Sequence, residues 1–132
     1  MNYKDIKFRA WHKEQSKMFE VLVLDMNSGE VFLDGFTVET QYKGETQRES
    51  MWISVDEVEL MMYTGQQDKH GKDIYEGDIV NSFNVADTIY WYEDHSSFYK
   101  RDKYDGESYS IESQYSNYRE VIGNIYENPE LV

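Results

Sequence analysis

Ile6, Phe8 and Ala10 alternate with Lys7 and Arg9, and this period-two pattern, ending at Trp11, predicts a strand with one buried face. Residues 12–17 are polar and interrupt it. Residues 18–24 then run apolar and β-branched, Asn27-Ser28-Gly29 supplies turn chemistry, and residues 31–33 are apolar again. Asp34-Gly35 has the composition of a type I′ hairpin turn, after which Phe36, Val38, Thr40 and Tyr42 carry the alternation into a further strand. The first part of the chain therefore reads as an antiparallel meander.

Residues 43–50 are polar and read as an exposed loop before Met51-Trp52-Ile53. Ser54 and Glu57 have the spacing of a helix-capping box, but Val58, Leu60 and Met62 alternate with their neighbours and predict a strand from about Val58. Thr64-Gly65 ends that strand, residues 68–72 form a turn around Gly71, and Ile74-Tyr75 is a short apolar pair. Glu76-Gly77-Asp78 turns the chain into a strand opening with Ile79-Val80. Residues 89–92 and 97–99 read as a hairpin joined by the polar residues 93–96. Ile111, Tyr115, Tyr118 and Ile122 recur at helical offsets and predict a short helix or 3₁₀ turn near 111–118. Residues 120–126 form a last strand, which Asn128-Pro129 stops because proline cannot donate to a ladder.

The fold class expected is mainly β, a β-rich α+β chain with at most one short helix. Residues 1–132 form a single domain with an N-terminal meander over 1–55 and a smaller lobe over 56–132. The order of elements from Gly77-Asp78-Ile79-Val80 onward matches SH3-like barrels by analogy.

With 132 residues and no cysteine, the chain is long enough for its own core, and disulfides, thiolate nucleophiles and cysteine-ligated metals are excluded. Twelve Tyr, six Phe and three Trp lift an otherwise modest apolar content, so the chain reads as folded. No apolar run reaches membrane-spanning length and no secretory signal opens the sequence, which points to the cytoplasm. A formal charge of −13 repels phosphate backbones, so nucleic acid is not an expected partner. The excess is −5 over residues 1–66 and −8 over 67–132. That spread favours a solvated acidic surface over a compact DNA-mimicking stripe, although mimicry stays an alternative.

His12, His70 and His95 fall in predicted turns without a second ligand at metal spacing and read as exposed. Asp68, Asp73, Glu76 and Asp78 crowd one segment, but His70 and Gly71 occupy the wrong positions for a calcium loop, and an Asp- and Gly-rich turn is the better reading. Serine-hydrolase, phosphate-loop, kinase and dinucleotide fingerprints are missing, so no catalytic residue, cofactor or metal is assigned. Tyr99, Tyr104, Tyr109, Tyr115 and Tyr118 are interleaved with Lys100, Arg101 and Lys103, yet Asp102, Asp105, Glu107 and Glu112 cancel that cationic field. Packing, then a protein-binding surface, are the uses these rings suggest.

The blocks IKFRAW (Ile6 to Trp11) followed by Met18, LMMYTGQQDKHGKDIYEGDIV (Leu60 to Val80) and EVIGNIYENPEL (Glu120 to Leu131) together resemble the YopX-like family of uncharacterised proteins from phages and prophages of Gram-positive bacteria. Gln66-Gln67 and His70 stand where the family more often shows Leu-Lys and Asn. The resemblance implies a phage-encoded, mainly β protein of the host cytoplasm and carries no catalytic residue to transfer. Within the blocks, Gly65, Gly71, Gly77, Gly123 and Pro129 suit turns or close backbone approaches, while Trp11, Ile74, Tyr75, Val121, Ile122 and Ile125 suit a core.

The function expected is non-enzymatic, through an unknown host or phage protein or through self-assembly as a homo-oligomer, with neither nucleic acid nor membrane as partner. Glu76, Asp78, Trp52, Tyr99 and Tyr104 are the candidate interaction residues. The alternative is a small-ligand binder or enzyme built on the carboxylates from Asp68 to Asp78.

Overall fold

The computed structural model of the chain describes residues 2–93, 97–102, 108–111 and 118–132, with backbone alone at 101–102 and 108–110. It is mainly β, with two antiparallel sheets and, among the described residues, only single 3₁₀ turns as helix. The chain divides into two compact units, Lys7–Leu60 and Met1–Ile6 with Met61–Val132.

In the first unit, β1 (Phe8–His12), β2 (Lys17–Asp25), β3 (Glu30–Glu39) and β4 (Thr46–Ser54) form the expected antiparallel meander. Alternation sends Ala10, Phe19, Val31, Leu33 and Phe36 to one face, where Val58 joins them and Val21, Leu24, Met51, Ile53 and Leu60 pack around. Phe19 and Phe36 stack with ring centroids 4.3 Å apart.

Three sequence expectations are corrected here. Asp34-Gly35 is not a hairpin turn: β3 runs straight through it, and the register against β4 slips between Asp34 and Phe36. Gly35, at φ +116, is the extra residue of a bulge, a backbone state that glycine reaches without strain. The loop predicted over residues 43–50 closes by residue 45, because β4 already begins at Thr46. His12 is buried rather than exposed; its Nδ1 accepts the Gln15 N–H at 3.1 Å, and its ring meets Phe19 and Phe36 edge-on. Ser54 and Glu57 do make a capping box, on a 3₁₀ turn (Val55–Glu57) that ends where the expected strand begins.

Strand β5 (Val58–Gln67) lies between β1 and β6 (Asp73–Tyr75) in a sheet ordered β4-β3-β2-β1-β5-β6. Thr64-Gly65 does not end β5; the strand continues past it with an irregularity at Gly65, whose φ is +84. The second sheet, ordered β10-β9-β8-β7-β11, contains β7 (Asp78–Ser82), β8 (Val85–Tyr92), β9 (Ser97–Asp102), β10 (Ser108–Ser110) and β11 (Glu120–Asn124). Ile74, Val80, Ile89 and Ile111 form its core with Phe98 and Val121.

Ile122 is not core. The register of β11 slips between Val121 and Gly123, so Ile122 is the bulged residue and is 39% exposed. The final strand stops at Asn124 rather than Tyr126, because the Asn124 side chain accepts the N–H groups of Tyr126 and Glu127 and turns the chain. Most of the helix predicted near 111–118 lies outside the described residues.

Candidate functional site

The two most buried carboxylates of the Asp68–Asp78 segment are spent on backbone N–H groups. Asp68 Oδ1 accepts the N–H groups of His70 and Lys72 at 2.8 and 2.9 Å, and Oδ2 accepts that of Val121 at 3.0 Å. Burial alone would raise this carboxyl, but those amides outweigh it and hold it below the usual carboxylate range. One side chain thereby shapes the turn and ties it to β11. Asp78, 1% exposed, accepts the Tyr75 N–H at 2.8 Å and caps the turn into β7. Asp73 accepts from Gln67 at 3.1 Å, and Glu76 is half-buried beside Gly77. Among the described residues, no three His, Asp or Glu side chains converge in a way that would hold a metal ion.

Gly77 is a backbone hub. Its N–H donates to Ile89 O and its carbonyl accepts the Ile125 N–H, both at 2.9 Å, joining β8 and the residue after β11. Its φ is +86, and a Cβ there would lie 3.2 Å from Met61 Sδ. A Cβ at Gly123 would lie 2.5 Å from Asn128 Oδ1, the group that accepts the Asn124 N–H.

Sequence reasoning missed a charged group inside the second unit. Asp87 and Arg119 are each 1% exposed, and Lys100 Nζ reaches Asp87 Oδ2 at 2.9 Å. Burial lowers the Arg119 guanidinium from its usual value, and the Asp87 charge opposes that shift. The only available sequence signal was parity: Asp87 shares its face of β8 with Ile89.

The outer face of the meander exposes apolar side chains. The register places Val23 of β2 opposite Phe32 of β3, and Phe32 opposite Trp52 of β4, in one row across three strands. Trp52 is 49% exposed, Val23 45% and the neighbouring bulge residue Leu22 48%. Phe32 and Trp52 pack at 5.0 Å between ring centroids. Beside this row, Asp34 holds Arg48 at 2.8 Å; that hydrogen bond and the guanidinium charge lower the Asp34 carboxyl. β4 ends the sheet order, so among the described residues no strand lies beyond its outer edge. The sequence did carry a signal for this face: residues 21–24, 31–33 and 51–53 are each unbroken apolar runs where a half-buried strand would alternate.

Of the other candidate residues, Tyr99 is half-buried in a cluster with Tyr92, 4.8 Å away and edge-on. Tyr104 lies outside the described residues. His70 is exposed and 3.3 Å from Glu120, whereas His95 lies outside the described residues. Trp52 stands on the meander, whereas Glu76, Asp78 and Tyr99 belong to the second unit.

The family model described as YopX protein matches residues 7–132. The chain belongs to the YopX family. Protein EF1440 from Enterococcus faecalis is similar in structure over 96% of each chain, at 26% identity and a TM-score of 0.63. Protein yopX from Bacillus subtilis is similar over 97% of this chain and 98% of its own, at 20% identity and a TM-score of 0.57, a likeness of fold. A search of the curated proteins finds no significant match. The YopX-like blocks noted in the sequence coincide with the turn pinned by Asp68, the Gly77 hub and the Gly123–Asn128 contact, so their Gly and Asp residues have structural roles. Among the described residues, no helix is long and apolar enough to cross a membrane.

Proposed function

We propose that this YopX-family chain is a phage or prophage accessory protein that acts without catalysis in the host cytoplasm, by binding another protein through the outer face of its meander. The observation that supports this reading is the apolar row Val23–Phe32–Trp52, with Val23 and Trp52 exposed and Trp52 on β4, the last strand of the sheet order. Cross-strand packing of Phe32 on Trp52 steadies the sheet but leaves Val23 and Trp52 half in water, and Trp anchors are enriched at interfaces. The carboxylate turn offers less, because its most buried acids are engaged with backbone amides.

The test is capture from phage-infected host lysate with the tagged wild-type chain and with Trp52→Ser, alongside light scattering of each. A partner retained by the wild type and lost by a normally folded Trp52→Ser supports the reading. A strictly monomeric chain that retains no partner, or one whose capture is indifferent to Trp52, overturns it.

A further inference from the structure

The outer face is arranged in three successive rows along the strands. Asp25, Glu30 and Ser54 form one, Val23, Phe32 and Trp52 the next, and Glu20, Asp34 and Ser50 the third. The apolar row is thus bracketed by acids on both sides, but the brackets differ. In the third row a cation is in place on Asp34, where Arg48 forks onto both carboxylate oxygens at 2.8 and 3.2 Å. In the first row Asp25 and Glu30 stand directly opposite one another, and among the described residues no Lys or Arg pairs with either. Asp25 is held ionised by the N–H groups of Asn27 and Ser28, which bond Oδ1 and lower its carboxyl.

Like charges directly opposite on neighbouring strands oppose folding. Placed beside an exposed apolar row, the same two acids would attract a cation brought by a partner. We infer that the outer face takes a cationic amphipathic segment of a partner protein, its apolar side chains over Val23, Phe32 and Trp52 and a Lys or Arg between Asp25 and Glu30. This rests on the reading that the face is a docking surface. A second copy of the chain is the weaker occupant, since it brings another −13. The row spans two strand separations, about 10 Å, which is close to the diameter of a helix with its side chains.

The probe is a synthetic amphipathic helix of Leu and Lys, compared with its counterpart carrying Glu in place of every Lys. Each is titrated calorimetrically into the full chain and into Trp52→Ser, Glu30→Lys and Glu130→Lys, the last altering an exposed acid of the other unit. The Lys helix is expected to bind the wild type and Glu130→Lys alike, to bind Glu30→Lys about tenfold more weakly, and to lose Trp52→Ser; the Glu helix is expected not to bind. Glu30→Lys exchanges a like-charge pair for an opposite one, so its thermal midpoint should rise, and weakened binding there cannot be lost folding. Equal weakening by Glu130→Lys would reduce the effect to general acidity and overturn the inference. Equal binding of both helices, or of neither while a lysate partner is still captured through Trp52, overturns the cationic occupant and leaves the docking surface standing. Indifference to Trp52 in both experiments removes both.

Discussion

At the scale of single residues, the second unit depends on carboxylates that sequence reading associates with chemistry. Asp68 uses both oxygens on three backbone N–H groups, so Asp68→Asn must turn its amide NH₂ toward at least one donor. A buried donor left facing a donor costs about 2–3 kcal/mol, to be read as a lower urea midpoint with an unchanged m-value. The pH dependence follows from the lowered folded value: the contribution of Asp68 is full above about pH 4, the unfolded value, and is lost as pH falls through the folded one. Asp68→Asn should therefore flatten the acid limb of the wild-type stability profile; an unchanged limb would mean that other groups carry it. Asp87 is the second such case. Asp87→Ala removes the buried anion that Lys100 reaches and whose charge acts on Arg119, and removing one partner of a buried charge pair costs about 3–5 kcal/mol in equilibrium unfolding. A loss below 1 kcal/mol, roughly a surface pair's worth, would show that other groups satisfy Arg119.

At the scale of elements, Gly35 keeps β3 one strand instead of two. Its φ of +116 excludes a side chain, while the space beside it is ordinary: a Cβ would meet Phe19 Cδ1 at 3.5 Å. Gly35→Ala should cost about 1–3 kcal/mol through backbone strain alone, seen as a lower thermal midpoint; an unshifted midpoint would mean the bulge relaxes. The same residue shows what the sequence could reveal. Strand existence was legible because period-two alternation is local, and β1, β2, β5 and β11 start within two residues of where the pattern puts them. Bulges were not legible, because Asp-Gly and Thr-Gly suit a hairpin turn and a bulge equally well, and only a partner strand decides between them. Register misplaced Ile122 for the same reason, and His12 was lost because its burial depends on Phe19 and Phe36 from two other strands. The carboxylate turn was legible as a turn. The Val23–Phe32–Trp52 row was visible only as three unexplained apolar runs until pairing aligned them.

At the scale of the whole molecule, one charge distribution should give two salt dependences of opposite sign. A chain at −13 resists compaction through self-repulsion, and salt shortens the reach of that repulsion from about 10 Å at 0.1 M to about 3 Å at 1 M. The thermal midpoint should therefore rise with sodium chloride over this range, since 26 acidic against 13 basic side chains leave more repulsion to screen than attraction, and the pair of Lys100 with buried Asp87 lies within the second unit, where screening is weak. Binding of the Leu-Lys helix should weaken over the same range, because a cation between Asp25 and Glu30 sits at the exposed end of the meander, where salt competes directly. The apolar row is insensitive to that competition, so affinity should fall to a floor set by Val23, Phe32 and Trp52 rather than to zero. Glu30→Lys should start near that floor and show a flatter salt response. Calorimetric titrations of wild type and variant at matched salt, beside thermal melts of both, measure all of these trends. Parallel decline of stability and binding with salt would contradict the argument, because it would place the governing charges in attractive pairs within the fold instead of in an unbalanced acidic surface.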